Sequence, residues 1–228
     1  MPGASPAGPP RWKRILDVSL ILLSLPLLLP LLLFISLFIL LVSGGPLLFR
    51  QERVGFREKK FSCLKFRTMA AGASTAAHQG HLARLMGTNQ PMIKMDLKGD
   101  ARIIPFGLLL RSSGLDELPQ ILNILRGEMS LVGPRPCVPY EFDKYLPWHK
   151  ERFNTLPGLT GLWQVNGKNR TTFDEMILLD IDYVRKKTPW LDVWILLKTI
   201  PALVVQMFEL RCRAKLPATA ISGDQGKH

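Results

Sequence analysis

Residues 18–49 read VSLILLSLPLLLPLLLFISLFILLVSGGPLLF, a run in which no side chain is charged. A helix of about 20 apolar residues is enough to cross the hydrocarbon core of a bilayer, which is about 30 Å thick. The run is longer than the apolar core of a signal peptide, and no small-residue cleavage site follows a short core. We therefore predict that residues 11–46 form a membrane-embedded helix.

Pro26 and Pro30 lie inside this run and predict a bend. A proline within a helix removes a backbone donor and clashes with the carbonyl four residues earlier, and Ser24 can favour the bend by bonding a carbonyl in the preceding turn. Both flanks are basic, with Arg11, Lys13 and Arg14 before the run and Arg50, Arg53, Arg57, Lys59 and Lys60 after it. Basic flanks favour the cytoplasmic side. A re-entrant helix with both ends on that side and a single-pass helix with a proline kink both stay open.

The 228-residue chain carries 30 lysines and arginines against 18 acidic residues, a net charge of +12. Nucleic acid, an anionic lipid surface or a phosphorylated substrate would each suit this excess. The apolar run favours membrane lipids, a phosphate-rich substrate adds to the same demand, and no aromatic-basic stacking motif indicates nucleic acid. The three cysteines and four histidines show no metal-ligand spacing, which is typical of reduced side chains in a cytosolic compartment.

Outside the apolar run, the sequence predicts a mostly helical α+β fold. Residues 47–51 and 61–66 are typical of the two strands of a β-hairpin, and residues 77–86 and 173–187 of helices. Residues 157–165 are predicted as a glycine-punctuated loop. Residues 190–208, with Trp190 and Trp194 near the start, suit a helix that lies at the bilayer interface without spanning it. Residues 1–10 are predicted as a disordered tail and residues 211–228 as a basic, flexible tail.

The segment from Leu115 to Gly127, LDELPQILNILRG, is the most informative for chemistry. Its leucines and isoleucines recur at helical spacing, so residues 116–126 predict a helix with one buried face that ends at Gly127. Pro119 is tolerated only in a first turn, which puts Asp116 and Glu117 at the helix N-terminus.

A carboxylate at a helix N-terminus stays ionised beside the positive end of the helix dipole. It can attack a phosphoryl group and form an acyl phosphate, provided that cations offset the negative charge. Lys65, Arg111 and Arg135 are candidate phosphate clamps, and Glu117 is a candidate ligand of Mg²⁺. An Asp-Glu pair that opens a helix is more often a cap with a favourable charge. The residues alone therefore leave a structural role for Asp116 open.

Several motifs occur in one order along the chain. They are Lys13-Arg-Ile-Leu-Asp17, the proline-containing run, Phe49-Arg-Gln-Glu-Arg-Val-Gly55, Lys65-Phe-Arg-Thr-Met69, Leu115-Asp-Glu-Leu-Pro-Gln120, Met129-Ser-Leu-Val-Gly-Pro-Arg-Pro136 and Pro157-Gly-Leu-Thr-Gly-Leu-Trp-Gln-Val165. Together they make residues 12–205 resemble the bacterial sugar transferase family, the monotopic polyprenyl-phosphate phosphoglycosyl transferases. The chain looks like the minimal catalytic unit of that family.

The resemblance implies a re-entrant membrane helix broken at Pro30, a small β-hairpin, a catalytic helix and interfacial amphipathic helices. Leu29 stands where the family often has a serine before the proline, so Ser24 or Pro26 is the candidate substitute for that contact. The resemblance further implies that residues 47–210 form a catalytic domain on the cytoplasmic face of the bacterial inner membrane.

The resemblance also implies roles for single residues. Asp116 matches the nucleophile, Glu117 its acidic neighbour linked to Mg²⁺, and Arg135 a phosphate-binding arginine. Asp180 matches a functional aspartate, which we expect to contact substrate and to be a second candidate ligand of Mg²⁺. Lys168 stands where the family commonly has an arginine; lysine keeps the charge but loses the fork, so Arg170 is the candidate for a bidentate contact with phosphate.

The implied reaction has two steps. Asp116 attacks the β-phosphate of a UDP-sugar and releases UMP, and undecaprenyl phosphate then takes the sugar phosphate, which starts an exopolysaccharide or glycoconjugate. Galactose, glucose and N-acetylated amino sugars stay open, with a preference for galactose or glucose, and a homodimer is compatible with the sequence. The alternative is a non-catalytic membrane scaffold of a polysaccharide-synthesis complex, against which the set of Asp116, Glu117, Lys65 and Arg135 argues.

Overall fold

The computed structural model describes residues 8–70, 76–88, 90–92, 102–167 and 170–215. The helices are α1 (Arg11–Ser43), α2 (Ala76–Gly87), α3 (Gly107–Ser113), α4 (Gln120–Leu125), α5 (Pro139–Phe142), α6 (Leu162–Val165), α7 (Phe173–Lys186) and α8 (Pro189–Lys215). The strands are β1 (Leu48–Val54), β2 (Lys60–Phe66), β3 (Ser130–Val132) and β4 (Gly158–Thr160). Segments of 3₁₀ helix are Phe56–Glu58, Leu115–Glu117 and Pro147–Asn154. The fold is mostly helical α+β, as the sequence predicts.

The long apolar helix α1 runs for 33 residues and passes through Pro26 and Pro30 without interruption. Ser24 donates its hydroxyl hydrogen to the carbonyl oxygen of Ile21 at 2.9 Å, the local bond predicted from the sequence. A proline can bend a helix while the backbone on either side stays helical, so the re-entrant break at Pro30 stays a prediction.

Both ends of α1 contact the globular part of the molecule. Near the start of the helix, buried Lys13 Nζ lies 2.5 Å from Asp192 Oδ2 and 2.7 Å from the Tyr183 hydroxyl. At the other end, the Arg67 guanidinium donates to the carbonyl oxygens of residues 43–45. The first of these carbonyls, that of Ser43, belongs to the last turn of the helix, where acceptors have no intrahelical partner, and the other two follow the helix. The helix is therefore tied to one body at both of its ends.

The strands β1 and β2 pair in antiparallel fashion along their whole length, which confirms the predicted hairpin. Asn123 of α4 clamps the hairpin from the side. Its Oδ1 accepts from the Leu64 N–H at 3.0 Å, and its Nδ2 donates to the Ser62 carbonyl oxygen at 2.8 Å. The clamp holds α4 against the strand that carries Lys65.

The segment predicted as a loop, residues 157–165, contains regular structure. The strand β4 pairs in parallel with β3, and α6 follows it. The two segments approach so closely that a Cβ on Gly133 would lie 2.3 Å from the Leu156 carbonyl oxygen. Backbone therefore occupies the space of a side chain, and only glycine fits. The loop prediction was wrong because strands of three residues are too short to show a period.

The largest buried cluster lies between α2, α7 and the segment Pro147–Asn154. It includes Leu82, Leu85, Phe153, Trp163, Met176 and Ile177. The helices α2 and α7 confirm those predicted over residues 77–86 and 173–187. Two smaller clusters lie under the two halves of α1, so this apolar helix shares a core with the hairpin and α4.

The last helix, α8, is longer than the predicted segment 190–208 and continues to Lys215, into the segment predicted as a flexible tail. One of its faces is buried against the body, and Gln206 Nε2 donates there to the Ser112 carbonyl oxygen at 3.1 Å. The opposite face exposes large apolar side chains, among them Trp190, Leu197, Ile200 and Phe208. By length and composition alone, α1 and the part of α8 up to Phe208 could each cross a bilayer. Most of both predicted tails, residues 1–7 and 216–228, lies outside the described residues.

Candidate phosphate-transfer site

Asp116 and Glu117 lie in the 3₁₀ turn Leu115–Glu117, which we call the acidic turn. Gly114 precedes it with a φ of +74°, a left-handed conformation that glycine adopts without strain. The chain then stays helical through Pro119 into α4. The helix predicted here is confirmed as a helical stretch in two pieces, with both acids at its start.

Glu117 forms an ion pair with Lys65, which reaches the acidic turn from β2. Lys65 Nζ lies 2.6 Å from Glu117 Oε1, and the two side chains are 22% and 31% exposed. Asp116 is only 9% exposed. Solvent therefore reaches Glu117 more readily than Asp116, and the lysine predicted as a phosphate clamp is bound to the predicted metal ligand.

Arg135 lies in residues 133–136, which we call the arginine turn. The three successive carbonyl oxygens of residues 134–136 accept hydrogen bonds of 2.8–2.9 Å from the Gly158 N–H, the Arg152 guanidinium and the Arg53 guanidinium, in that order. The two prolines of the turn also fix φ at their positions. The backbone of the arginine turn is therefore rigid.

The Arg135 side chain is held from behind by a buried network of Glu141, Tyr145, Arg152 and Asp180. Arg135 Nη1 lies 3.4 Å from Glu141 Oε2, with the glutamate fully buried and the arginine 26% exposed. Tyr145 donates its hydroxyl hydrogen to Glu141 Oε1 at 2.7 Å. Arg152 Nη1 lies 4.0 Å from Glu141 Oε1, and Arg152 Nη2 forms a short ion pair with Asp180. The network thus runs from a partly exposed guanidinium into the core.

The pKa values in this network follow burial and charge. Burial favours a raised pKa for Glu141, but the guanidiniums of Arg135 and Arg152 outweigh it and lower the pKa. Burial raises the pKa of Asp180 to about 6, against the opposing effect of Arg152. Burial favours a lowered pKa for Arg135, which Glu141 outweighs, so the pKa of Arg135 is raised. Glu141 and Arg135 therefore form an ion pair at neutral pH.

A second guanidinium, that of buried Arg53, stands beside the arginine turn. Its pKa is lowered by burial first and then by the positive charge of Arg135. Burial raises the pKa of the Cys63 thiol, and the same thiol feels the charges of Lys65, Arg53, Glu117 and Arg135. Of these groups, Lys65 and Glu117 are in direct contact, and Arg53 contacts the arginine turn through the Pro136 carbonyl oxygen.

The structure corrects the position expected for Asp180. We predicted a contact with substrate and a second ligand for Mg²⁺, but the side chain is 1% exposed and paired with Arg152. Asp180 shares its face of α7 with buried Met176, Ile177 and Val184, since residues three and four apart lie on one side of a helix. The buried Asp180 carboxylate therefore orients Arg152 and is not accessible from the solvent.

The remaining predicted clamps are spread more widely. Arg111 lies in the last turn of α3, partly exposed, on the segment that leads into the acidic turn. Arg170 is exposed and lines a groove along α7 with Glu175, Leu178 and Arg185. None of the residues lining that groove belongs to the acidic turn or the arginine turn, so the structure does not group Arg170 with Asp116. Lys168 lies outside the described residues.

Mg²⁺ would find oxygen ligands at the acidic turn. In the described part of the chain, no three His, Cys, Asp or Glu side chains form a metal-binding group. Magnesium needs fewer protein ligands, because one or two carboxylates commonly hold it together with substrate phosphates. Glu117 fits, since its carboxylate is partly exposed and already attracts a cation, the Lys65 ammonium. Buried, paired Asp180 does not fit.

Sequence reasoning missed Arg53, Glu141 and Arg152. A charged residue carries no sign of burial in the sequence, and it is recognised only through its partners. Those partners lie far along the chain: Arg152 and Asp180 are 28 residues apart, and Arg53 and the Pro136 carbonyl are 83 apart. Arg53 belongs to one of the ordered motifs, which was the one available signal.

The sequence of the chain is similar to a family of known proteins. The family model described as bacterial sugar transferase matches residues 9–206. A UDP-glucose:undecaprenyl-phosphate glucose-1-phosphate transferase of Caulobacter vibrioides is 40% identical over 200 residues, which cover 84% of this chain and 69% of that protein. The exopolysaccharide production protein ExoY of Sinorhizobium fredii is 37% identical over 191 residues, 84% of each chain.

Other relatives are much longer than the matched region. The undecaprenyl-phosphate galactose phosphotransferase of Salmonella typhimurium is 41% identical over 162 residues, which are 68% of this chain and 33% of that protein. The chain spans about a third of the length of several of the curated relatives it matches. Two of these three names specify the transfer of a sugar phosphate to undecaprenyl phosphate and differ in the sugar, galactose or glucose.

Proposed function

Because the chain belongs to the bacterial sugar transferase family, we propose that it transfers a hexose 1-phosphate from a UDP-sugar to undecaprenyl phosphate. A covalent intermediate forms on Asp116, UMP is the first product, and the lipid-linked sugar starts an exopolysaccharide or glycoconjugate. The names of the relatives support galactose or glucose as the sugar.

The observation that carries the proposal is the contact of the acidic turn with a cation, the Lys65 ammonium, which lies 2.6 Å from Glu117. Asp116 is 9% exposed, which would protect an acyl phosphate on this residue from water. Lys65 and Arg135, with Arg53 behind them, can offset the charge of a diphosphate. A carboxylate pair that only caps a helix needs no such set, so the surroundings favour phosphoryl transfer.

The two steps balance without a proton. First, an Oδ atom of Asp116 forms a bond to the β-phosphorus, while the bond from that phosphorus to the bridging oxygen breaks and UMP leaves with the electron pair. Second, an oxygen of undecaprenyl phosphate attacks the same phosphorus, and Asp116 leaves as a carboxylate. The protein therefore contributes orientation of the reactants and neutralisation of charge.

Glu117 is the proposed ligand of Mg²⁺, together with the phosphates of the substrate. When bound, the ion offsets charge on the diphosphate. We infer that Lys65 holds Glu117 while the substrate is absent and turns towards phosphate when it is present. The partial exposure of the pair supports this role, since an exposed ion pair is weak enough to exchange partners.

The topology of α1 that we propose is re-entrant, with both ends at the cytoplasmic face of the inner membrane. Attachment of both ends to one body supports it. A straight helix would separate Ile21 and Ile35 by about 21 Å, yet Leu118 packs against the clusters that contain each of them. A bend near Pro26 and Pro30 would bring the two halves of α1 to that common neighbour.

Labelling from outside intact cells tests this topology. Gly3→Cys and Glu58→Cys, each in a chain whose own cysteines are replaced by alanine, mark the two ends of α1. A membrane-impermeant maleimide should label neither position until the membrane is permeabilised. Labelling of one position before permeabilisation would establish the single-pass alternative.

The exposed apolar face of α8 suits the bilayer interface rather than a second span. Asp192, Ile195 and Gln206 on the opposite face are buried against the globular part, and a helix attached along its side lies parallel to the surface of that body. Trp190 and Trp194, which are exposed at the start of the helix, suit the headgroup level. The catalytic part would then sit where a soluble nucleotide sugar and a lipid phosphate meet.

The activity is tested by incubating the purified chain with UDP-galactose or UDP-glucose, Mg²⁺ and undecaprenyl phosphate. We expect continuous release of UMP with the lipid and a burst of about one UMP per chain without it, because the phosphosugar stays on the enzyme. Mass spectrometry of the intact chain should detect that adduct. If no common UDP-hexose gives UMP, the non-catalytic scaffold becomes the better explanation.

A further inference from the structure

Glu141 is a buried carboxylate that the transfer steps above do not use. Its side chain is fully buried, and it lies between the guanidiniums of Arg135 and Arg152. The Tyr145 hydroxyl donates to one of its oxygens at 2.7 Å. Burying a carboxylate is unfavourable unless charges and hydrogen bonds compensate it, and a hydrophobic side chain of similar volume often serves stability as well. A role beyond stability would explain the retained charge.

The arginine turn limits what that role can be. Its three consecutive carbonyl oxygens are held by the Gly158 N–H, Arg152 and Arg53, so the backbone at Arg135 is fixed. What remains free to vary is the long side chain of Arg135, which is 26% exposed. Glu141 contacts one Nη atom of that side chain from its buried side, and an arginine has five N–H donors for other partners.

We propose that Glu141 is a positioning residue for sugar-phosphate transfer, which holds the Arg135 guanidinium in the orientation that receives a phosphate of the nucleotide sugar. This inference rests on the proposed function. Arg152 and Tyr145 in turn hold Glu141, and Arg152 also binds the Arg135 carbonyl oxygen. The same buried arginine therefore fixes both the backbone of Arg135 and the carboxylate that orients its side chain.

The charges of the group are consistent with a phosphate as the ligand. Arg135 and Arg152 contact the two carboxylates of the group, Glu141 and Asp180, while the third guanidinium, that of Arg53, contacts the Pro136 carbonyl oxygen. One positive charge is left over, and Arg135, which is 26% exposed, is the most exposed of these charged side chains. The excess charge is thus presented at the end of the network that substrate can reach.

A double-mutant cycle tests the inference, with the rate of the UMP burst at low UDP-sugar concentration as the readout. Glu141→Gln should lower kcat/KM by about 10- to 100-fold, because a displaced group of this kind costs up to about 100-fold. Arg135→Lys should lower it by a similar factor. In the Arg135→Lys background, Glu141→Gln should cost less than about 3-fold, since it acts through an arginine that is no longer there.

Two further variants separate positioning from stability. Glu141→Asp keeps the buried charge but draws the carboxylate back from Arg135, and it should lose kcat/KM while its unfolding midpoint stays closer to that of the unaltered chain. It replaces Glu141→Gln in the cycle if the latter does not fold. Glu151→Gln, which removes a glutamate paired with exposed Arg185, is the matched control and should leave the burst unchanged.

The outcomes distinguish the two levels of the argument. Strong coupling in the cycle supports the positioning role. Effects of Glu141 and Arg135 that multiply independently, or a Glu141→Asp variant with an unchanged burst, overturn it. If the unaltered chain itself gives no burst, the proposed function fails instead.

Discussion

The acidic turn and the buried network are both built from opposite charges, but their surroundings differ. The Lys65–Glu117 pair is 22% and 31% exposed and is joined by one described contact of 2.6 Å. The Arg152–Asp180 pair is 0% and 1% exposed and is linked to Glu141 and Tyr145. Exposed pairs typically contribute about 0–1 kcal/mol to stability, whereas removing one partner of a buried pair costs about 3–5 kcal/mol.

Under the proposed function, this difference separates parts that change during the reaction from parts that do not. We propose that Lys65 and Glu117 exchange partners at small cost when phosphates and Mg²⁺ arrive. The proposed role of Arg135 requires a fixed direction, and the groups behind it lose much if they move. Substitutions in the two regions should therefore affect activity and stability in opposite proportions.

The largest expected effect is a difference in activity between substitutions of two aspartates, Asp116 and Asp180. Asp116→Asn should reduce UMP release by about 1000-fold or more, because an amide does not replace a carboxylate nucleophile. The covalent adduct should disappear, and the unfolding midpoint should stay the same because the two side chains have the same shape. Asp180→Asn changes a buried residue that is not accessible from the solvent, and this variant should keep most of the activity.

Activity assays and intact-mass measurements on both variants check this contrast. A fully active Asp116→Asn protein would remove Asp116 from the role of nucleophile. Loss of the adduct in Asp180→Asn with an intact fold would mean that Asp180 takes a direct part in the chemistry.

The next effect is measured as stability. Arg152→Met should lower the free energy of unfolding by about 3–5 kcal/mol, because it leaves the carboxylates of Glu141 and Asp180 buried without their shared guanidinium. Arg185→Met is the matched control, since Arg185 is 65% exposed in its pair with Glu151, and its effect on stability should be much smaller. Denaturant unfolding of both variants measures the difference. Equal costs would show that burial does not distinguish the two pairs.

A smaller effect depends on pH. The pKa of Asp180 is raised from 3.8 to about 6 in the folded chain, so folding takes up a proton between these values. The stabilising contribution is complete below pH 4 and is lost as the pH rises through about 6, and it amounts to at most about 3 kcal/mol. The Asp180→Asn variant has no titratable group at this position, so it takes up no proton there on folding. The stability of the unaltered chain relative to this variant should therefore fall from pH 4 to pH 7, and a constant difference would contradict the shift.

The parts of the fold that the sequence could predict have a regular hydrophobic period or are marked by a proline at a helix start. The apolar run, the hairpin and α7 are long enough to show their pattern, and Pro119 placed both acids at a helix start for a steric reason. The three-residue strands β3 and β4 show no pattern, and α8 continues past the apolar segment that suggested it. Length therefore decided which elements the sequence could predict.

The candidate site was predictable only where its residues stand in ordered motifs. These residues are Asp116, Glu117, Lys65 and Arg135, and the structure joins Lys65 to Glu117. Arg152 could not be found because its partner Asp180 lies 28 residues away, and Glu141 was missed because no local pattern records that its carboxylate is buried. Asp180 was predicted to contact substrate for a related reason. Its motif matches a functional residue, whereas its position in the helical period of α7 turns the side chain towards the core.

The smallest expected effect on stability is that of Lys65→Gln. The pair with Glu117 is partly exposed, so its loss should cost less than about 1 kcal/mol, similar to the cost of Lys60→Gln, whose pair with Glu52 is 62% and 57% exposed. Activity should separate the two variants. Lys65→Gln removes a cation from the phosphates and should lower kcat/KM by about 100-fold, while less Mg²⁺ should suffice for half-maximal rate because no ammonium competes for Glu117. A cost of several kcal/mol, or an unchanged Mg²⁺ requirement, would mean that the Lys65–Glu117 pair is structural, and the acidic turn would then resemble the buried network.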